Sequence, residues 1–140
     1  ELHALEKIKT IGDGYMAAGG VPVPTNTHAA NVVQLGLDML KVIQDFNAEH
    51  DLNLGIRVGV HTGAVIAGVI GQRKYAYDLW GDTVNIANRM ESIGVSGEVQ
   101  ISQATADLLP DCFELAKREP VQVKGRGQMQ TYFVKSGCVD

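Results

Sequence analysis

Two polar side chains at helical spacing, Asn85 and Arg89, are the residues of this sequence best suited to chemistry. The stretch Tyr75–Glu91 (YAYDLWGDTVNIANRME) begins with a strand-like apolar and aromatic segment, turns at a glycine and continues as a predicted helix capped by Asp82 or Thr83. Residues four apart project from one helical face, so an amide and a guanidinium point to one place. Such a pair suits an oxygen-rich anion such as a polyphosphate, although two solvated residues on a surface helix give the same pattern.

A second candidate is Asp13, which stands between two glycines at the tip of a predicted hairpin. Gly-Asp-Gly is typical of a tight turn between strands, here Leu5–Thr10 and Tyr15–Ala18. Asp13 either serves that turn alone or supplies an oxygen ligand to Mg²⁺ where glycines let a phosphate approach. One carboxylate makes half a metal site, and no obvious second one stands nearby in the sequence.

Arg57 and His61 lie in a glycine-rich segment, Leu54–Gly71, which we predict to form two strands joined at Thr62-Gly63. Their even spacing places both side chains on one face of a strand. The plain alternatives are a strand-end surface charge for Arg57 and a core or edge histidine for His61. So many glycines in strands indicate close packing, or a backbone that a ligand or partner approaches.

Lys124 opens the sequence KGRG, which we predict to be the turn of a hairpin formed by Phe113–Val123 and Gln130–Val134. A basic glycine turn is either a solvated hairpin tip or a flexible cationic arm over phosphates.

The elements that must position these residues alternate between strands and helices. Apolar residues recur at helical spacing from His28 to His50 and predict a long amphipathic helix. A short strand, Gly97–Ser102, precedes a short helix that Ser102 caps and that continues to Leu109. The predicted order is close to β-β-α-β-β-α-β-α-β-β. It favours one α+β domain with a mostly antiparallel sheet and helices packed on one face.

Composition excludes several classes of function. The 140 residues are 45% hydrophobic, enough for one domain with a core, and a net charge of −4 provides no basic surface for nucleic acid. The longest apolar run, Ala64–Ile70, is far shorter than a membrane span. The two cysteines, Cys112 and Cys138, are expected to be unpaired, small apolar residues in a reducing, cytoplasmic setting. Because the sequence begins Glu-Leu-His, we expect a piece of a longer protein.

Four motifs together resemble the class III nucleotide cyclases. They are IKTIGDGYM at Ile8–Met16, RVGVHTG at Arg57–Gly63, YDLWGDTVNIANRME at Tyr77–Glu91 and VKGRG at Val123–Gly127. They occur in the family's order and spacing and cover nearly the whole chain. The resemblance implies a ferredoxin-like, cyclase-type fold and a lyase that forms a 3′,5′-cyclic nucleotide and pyrophosphate from a nucleoside triphosphate. It also implies a homodimer whose two active sites each draw residues from both chains.

The resemblance also implies roles for single residues. Asp13 matches a metal aspartate, and two divalent cations, Mg²⁺ or Mn²⁺, are expected in each site. Arg57 matches an arginine that contacts the triphosphate. From the other chain, Asn85 matches the residue that orients the ribose, Arg89 the one that stabilises charge in the transition state, and Lys124 a phosphate-binding lysine.

Lys9 and Asp78 match the pair that reads the base in this family. A carboxylate can accept a hydrogen bond from the exocyclic amino group of adenine, and a lysine can donate to its ring nitrogen. Guanylate-forming relatives typically carry Glu and a small residue such as Cys at these positions. The sequence therefore predicts an adenylate cyclase that uses ATP, and a guanylate cyclase or a catalytically silent, dimerising regulatory module remain the alternatives.

The chain departs from the family pattern at its start. The family's first metal aspartate lies on an opening strand upstream of the position of Asp13, and these 140 residues have no counterpart. We expect the 140-residue chain alone to bind paired metals poorly and to show little or no turnover.

Overall fold

The computed structural model describes residues 5–11, 14–20, 25–70, 76–123 and 127–138. Eight strands and three helices lie in these ranges. In chain order they are β1 Leu5–Ile11, β2 Gly14–Gly19, α1 His28–His50, β3 Val58–Val60, β4 Ile66–Ile70, β5 Ala76–Trp80, α2 Asp82–Ser92, β6 Val99–Ser102, α3 Gln103–Ala106, β7 Glu114–Val123 and β8 Gly127–Ser136.

The largest sheet has the strand order β3-β6-β8-β7. The β3–β6 pair is parallel, while β6–β8 and β7–β8 are antiparallel. Two further antiparallel pairs, β1–β2 and β4–β5, form sheets of two strands. The predicted α+β class with a mostly antiparallel sheet is thereby confirmed.

Helix α1 has the bounds that its apolar spacing predicts. Val33 is fully buried, and the core around it is formed by residues of four strands or their flanks. That core contains Val33, Val60, Val99, Ile101, Phe113 and Val134. Gly36 brings the helix close to the sheet, because a Cβ there would meet Val58 Cγ1 at 3.0 Å. The helix ends at His50, and its C-cap Asp51 adopts the left-handed conformation with φ of 54°.

The two long helices cover opposite faces of the four-stranded sheet, which corrects the expectation that helices pack on one face. Side chains alternate along β6, so Val99 and Ile101 point toward α1 while Gln100 points the other way and bonds to Met90 of α2. Both helices are amphipathic, and helical periodicity alone does not say which face of a sheet each helix covers.

The segment Leu54–Gly71 also differs from its prediction. It does contain the two predicted strands, β3 and β4, on either side of Thr62-Gly63, and these strands belong to different sheets. Arg57 and His61 flank the three-residue strand β3 instead of lying within it. The additional strand β5, which the predicted order omitted, pairs with β4.

Cys112 and Cys138 form a disulfide with Cα atoms 5.0 Å apart, so the expectation of two unpaired cysteines is wrong. The β7–β8 hairpin brings them together, since Glu114 pairs with Ser136 at its open end. A separation of 26 residues in sequence therefore becomes a short distance in space. Cys138 packs against the core beneath α1.

Candidate functional site

Helix α2 carries the candidate residues Asn85 and Arg89, and its start is fixed from outside the helix. The N-cap is Gly81 with φ of 119°, a conformation that favours glycine, rather than the predicted Asp82 or Thr83. The Thr83 hydroxyl instead donates to the Ala64 carbonyl oxygen at 2.6 Å. The first turn of α2 is thus tied to the loop between β3 and β4.

Asn85 and Arg89 line a common cavity of about 710 Å³ between α2 and the end of β7. The lining residues are Asp82, Asn85, Ile86, Arg89, Gln122 and Val123. The predicted convergence of an amide and a guanidinium is therefore observed. Sequence reasoning did not identify the wall from β7, although its next residue, Lys124, was already a candidate.

The chemistry of the cavity is that of an exposed cation beside an amide. Arg89 Nη2 donates to the Gln122 carbonyl oxygen at 3.3 Å, a long contact. Both Asn85 and Arg89 are exposed, whereas Ile86 and Met90, the residues that follow each of them in the helix, are buried. The packed side fixes the backbone, and the exposed polar groups stay accessible to an anionic ligand.

Arg57 lies outside this cavity. Its Nε donates to Glu91 Oε2 at 2.9 Å, and its Nη1 contacts the Ser92 carbonyl oxygen at 3.4 Å. Both partners belong to the last turn of α2. About half of each side chain of the Arg57–Glu91 pair is exposed, so this ion pair adds little stability.

Lys9 and Asp78 lie on strands that adjoin one another. For these two residues the structure describes the backbone: Lys9 is in β1, paired with Met16, and Asp78 is in β5, paired with Gly68. Strands β1 and β5 contact each other, although they belong to different sheets. The two base-reading candidates are thus brought to one region of the fold.

Asp13 and Lys124 lie outside the described residues. Strand β7 ends at Val123, the residue before Lys124, so the chain enters the KGRG segment directly from the cavity wall. Within the ranges that the structure describes, no three His, Cys, Asp or Glu side chains converge as a metal-binding group.

His61 takes part in a network of hydroxyl groups at the end of β3. Its Nδ1 lies 2.6 Å from Ser102 Oγ, and Thr62 Oγ1 lies 2.8 Å from Thr105 Oγ1. Ser102 and Thr105 are fully buried. This agrees with the interpretation of His61 as a core or edge histidine rather than a catalytic one.

The family model of the adenylate and guanylate cyclase catalytic domain matches residues 1–136. The chain belongs to the class III nucleotide cyclases. Among the described helices of this cyclase domain, none is both long and apolar enough to cross a membrane.

Relatives of this cyclase domain include enzymes named for either nucleotide. It is 42% identical over 132 residues to an adenylate cyclase of Mycobacterium tuberculosis, covering 94% of this chain and 30% of the relative. It is 44% identical over 135 residues to rat guanylate cyclase soluble subunit beta-2, covering 95% of this chain and 20% of the relative. The chain thus spans less than a third of either relative. Family membership establishes a nucleotide cyclase domain and leaves the base open.

A solved structure shares the fold of this cyclase domain. The guanylate cyclase domain of RhGC from Catenaria anguillulae, crystallised in complex with GTP, superposes with a TM-score of 0.88 at 36% identity. The match covers 96% of this chain and 74% of that chain.

Proposed function

We propose that this chain is the catalytic region of an adenylate cyclase, which converts ATP to 3′,5′-cyclic AMP and pyrophosphate in a homodimer. The observation that carries the proposal is the cavity in which Asn85 and Arg89 face the end of β7. An accessible guanidinium and amide beside the residue that leads into Lys124 form a surface suited to a nucleoside triphosphate.

In this reaction the protein mainly has to position the ribose and the triphosphate and to supply positive charge. The ribose 3′-oxygen forms a bond to the α-phosphorus and loses its proton, while the bond from that phosphorus to the leaving pyrophosphate oxygen breaks. Asn85 orients the ribose, and Arg89 and Lys124 neutralise the negative charge that grows on the phosphates. Arg57 of the other subunit contacts the triphosphate, which requires its exposed pair with Glu91 to open.

A metal requirement is part of the proposal and depends on Asp13. Divalent cations, Mg²⁺ or Mn²⁺, would lower the pKa of the ribose hydroxyl and neutralise phosphate charge. The chain spans less than a third of the length of the adenylate and guanylate cyclase relatives named above. Activity measurements therefore use the protein in its full natural length.

Preference for ATP is supported by residue types and by placement. Lys9 and Asp78 offer a donor and an acceptor complementary to adenine, and they lie on adjoining strands. The similarity to the rat guanylate cyclase subunit makes GTP the second candidate substrate. Comparing kcat/KM for the two nucleotides decides between them: we expect ATP to be preferred, and a preference for GTP would contradict the base assignment.

The base assignment also predicts a specificity switch. Exchanging Lys9→Glu and Asp78→Cys together should move the preference toward GTP, because the donor at position 9 becomes an acceptor. We expect kcat/KM for ATP to fall by about 10²-fold or more, because mismatched polar groups are left unpaired. Retained ATP preference in a folded double variant would show that other residues read the base.

A shared active site is tested by subunit complementation. Asp13→Ala and Arg89→Ala variants should each be inactive alone and recover cyclic AMP synthesis when mixed, because one mixed site is then intact. Random pairing of equal amounts makes about half of the dimers mixed, and each mixed dimer has one intact site of two, so we expect up to about a quarter of the normal specific activity. Absence of recovery in subunits shown to associate would contradict the dimeric site. A wild-type protein that turns over neither ATP nor GTP would favour the silent regulatory module.

A further inference from the structure

We propose that Gln100 and Arg118 are positioning residues that hold the last turn of α2 on the sheet and thereby place Arg89. The inference rests on the proposed function, since it concerns the residue assigned to stabilise the transition state. Neither residue lines the cavity. Together they are named here the α2 clamp.

The amide of Gln100 is completely buried in the middle of β6. Its Nε2 donates to the Met90 carbonyl oxygen at 3.0 Å. That carbonyl is one of the last four of the helix, which lack the usual partner one turn later. Gln100 therefore supplies a hydrogen bond to a carbonyl at the end of α2, on the residue next to Arg89.

Arg118 approaches the same helix end from β7. Its Nη1 donates to the Ile93 carbonyl oxygen at 2.8 Å and also to Gln100 Oε1. Its guanidinium carbon lies 5.2 Å from the centre of the Phe133 ring, a cation–π contact. A cation at a helix C-terminus is also favoured by the helix dipole. The planar guanidinium joins the helix, β6 and β7 at one point.

A glycine in strand β3, Gly59, allows α2 to pack closely against the sheet. Gly59 pairs with Gln100 in the parallel ladder, so the two lie side by side beneath the helix. A Cβ on Gly59 would overlap the backbone of Met90 and Glu91. The last turn of α2 thus rests directly on the backbone of the sheet, where small shifts of the helix are restricted.

The clamp sets the distance between the two sides of the cavity, helix α2 and the end of β7. Arg118 reaches from β7 to a carbonyl of the α2 end, and Arg89 reaches from α2 to the Gln122 carbonyl of β7. The helix and the strand are therefore linked in both directions. Arg89 is held at a defined position relative to Val123, after which the chain continues to Lys124.

Hydrogen bonds explain why polar groups occupy this buried place. An apolar side chain at position 100 could fill the same volume, but apolar contact is non-directional and tolerates sliding. Hydrogen bonds fix both distance and angle. Burying an amide and part of a guanidinium carries an unfavourable desolvation free energy. In exchange, the hydrogen bonds fix a single register between α2 and β7.

The test compares Gln100→Met with Tyr132→Phe in the full-length protein. Tyr132→Phe is the matched control, because it removes a hydrogen bond to Gln103 Oε1 of 2.6 Å without touching α2. At a temperature where both variants are folded, we expect Gln100→Met to lower kcat about tenfold with KM within about twofold, because misplacement affects the reacting geometry more than binding. The control should keep kcat within about twofold of wild type.

A second background separates positioning from general destabilisation. If Gln100 acts through Arg89, adding Gln100→Met to an Arg89→Lys protein should lower kcat by less than about twofold, because the effects of coupled residues are not additive. Equal losses in both backgrounds would overturn the proposal. Should Gln100→Met fail to fold, Arg118→Lys keeps the charge but loses the planar fork and is expected to show the same pattern.

Hydrogen exchange tests the clamp without any catalysis. The amides of Ile93 and Gly94 bond to carbonyls of the last turn at 3.0 Å each. In Gln100→Met they should exchange about tenfold faster, whereas Tyr132→Phe should leave them unchanged, because opening is local. Unchanged exchange in Gln100→Met would contradict the clamp. A wild-type protein without cyclase activity would instead contradict the proposed function.

Discussion

The two faces of the four-stranded sheet are covered by helices of very different character. Beneath α1 the contacts are aliphatic and close, with Val33, Val99 and Ile101 fully buried. Beneath α2 an apolar cluster of Ile86, Met90 and Val123 stands beside a buried amide and a partly buried guanidinium. One face is suited to stability, and the other combines packing with a precise placement of exposed polar groups.

The largest expected effect is on the α2 face. Arg89→Ala should lower kcat by about 10²–10³-fold, because it removes charge stabilisation in the transition state. The midpoint of denaturant unfolding should stay close to wild type, since the side chain is exposed and its described hydrogen bond is long. Steady-state kinetics and urea unfolding measure the two quantities. A large loss of stability with unchanged kcat would remove the distinction between the faces.

Ile101→Ala gives the opposite result on the α1 face. Ile101 neighbours Gln100 in β6 but is buried in the core beneath α1. Removing its side chain should lower the free energy of unfolding by about 2–4 kcal/mol, because a cavity is left in a packed region. The kcat of the folded variant should change little. A fall in kcat as large as that of Gln100→Met would show that the faces are mechanically coupled.

Reduction of the Cys112–Cys138 disulfide should have a similar or somewhat smaller effect on stability. The bond closes the open end of the β7–β8 hairpin and lies against the core beneath α1. We expect unfolding free energy to drop by about 2–4 kcal/mol on reduction or in Cys112→Ser, because the unfolded chain gains freedom. Thermal unfolding with and without dithiothreitol measures it. If dithiothreitol leaves the thermal unfolding of the wild-type protein unchanged, this bond does not stabilise the fold.

The elements with strong periodicity could be predicted from the sequence. Helix α1 forms from His28 to His50, as its apolar spacing predicts, and β7 and β8 pair as a hairpin up to Val123 and Gly127. Asn85 and Arg89 share a face because four residues make about one helical turn. Patterns of this kind depend on neighbours in sequence, and they persist in the folded chain.

Contacts between distant segments could not be predicted in the same way. Gln100 and Arg118 appeared in the sequence as an ordinary strand residue and an ordinary basic residue. Their roles depend on parallel pairing of β3 with β6 and on the close packing of α2 against Gly59. A glutamine flanked by buried apolar residues was the one local signal of a buried polar contact.

The sequence by itself determined the class of fold, the family and the residue types that can handle a nucleoside triphosphate, because these follow from local spacing and motif order. Only the tertiary structure decided that the long helices cover opposite faces, that Cys112 meets Cys138, and that Arg89 faces Gln122. Those outcomes depend on strand pairing across the chain, where each contact is chosen by packing and hydrogen bonding together.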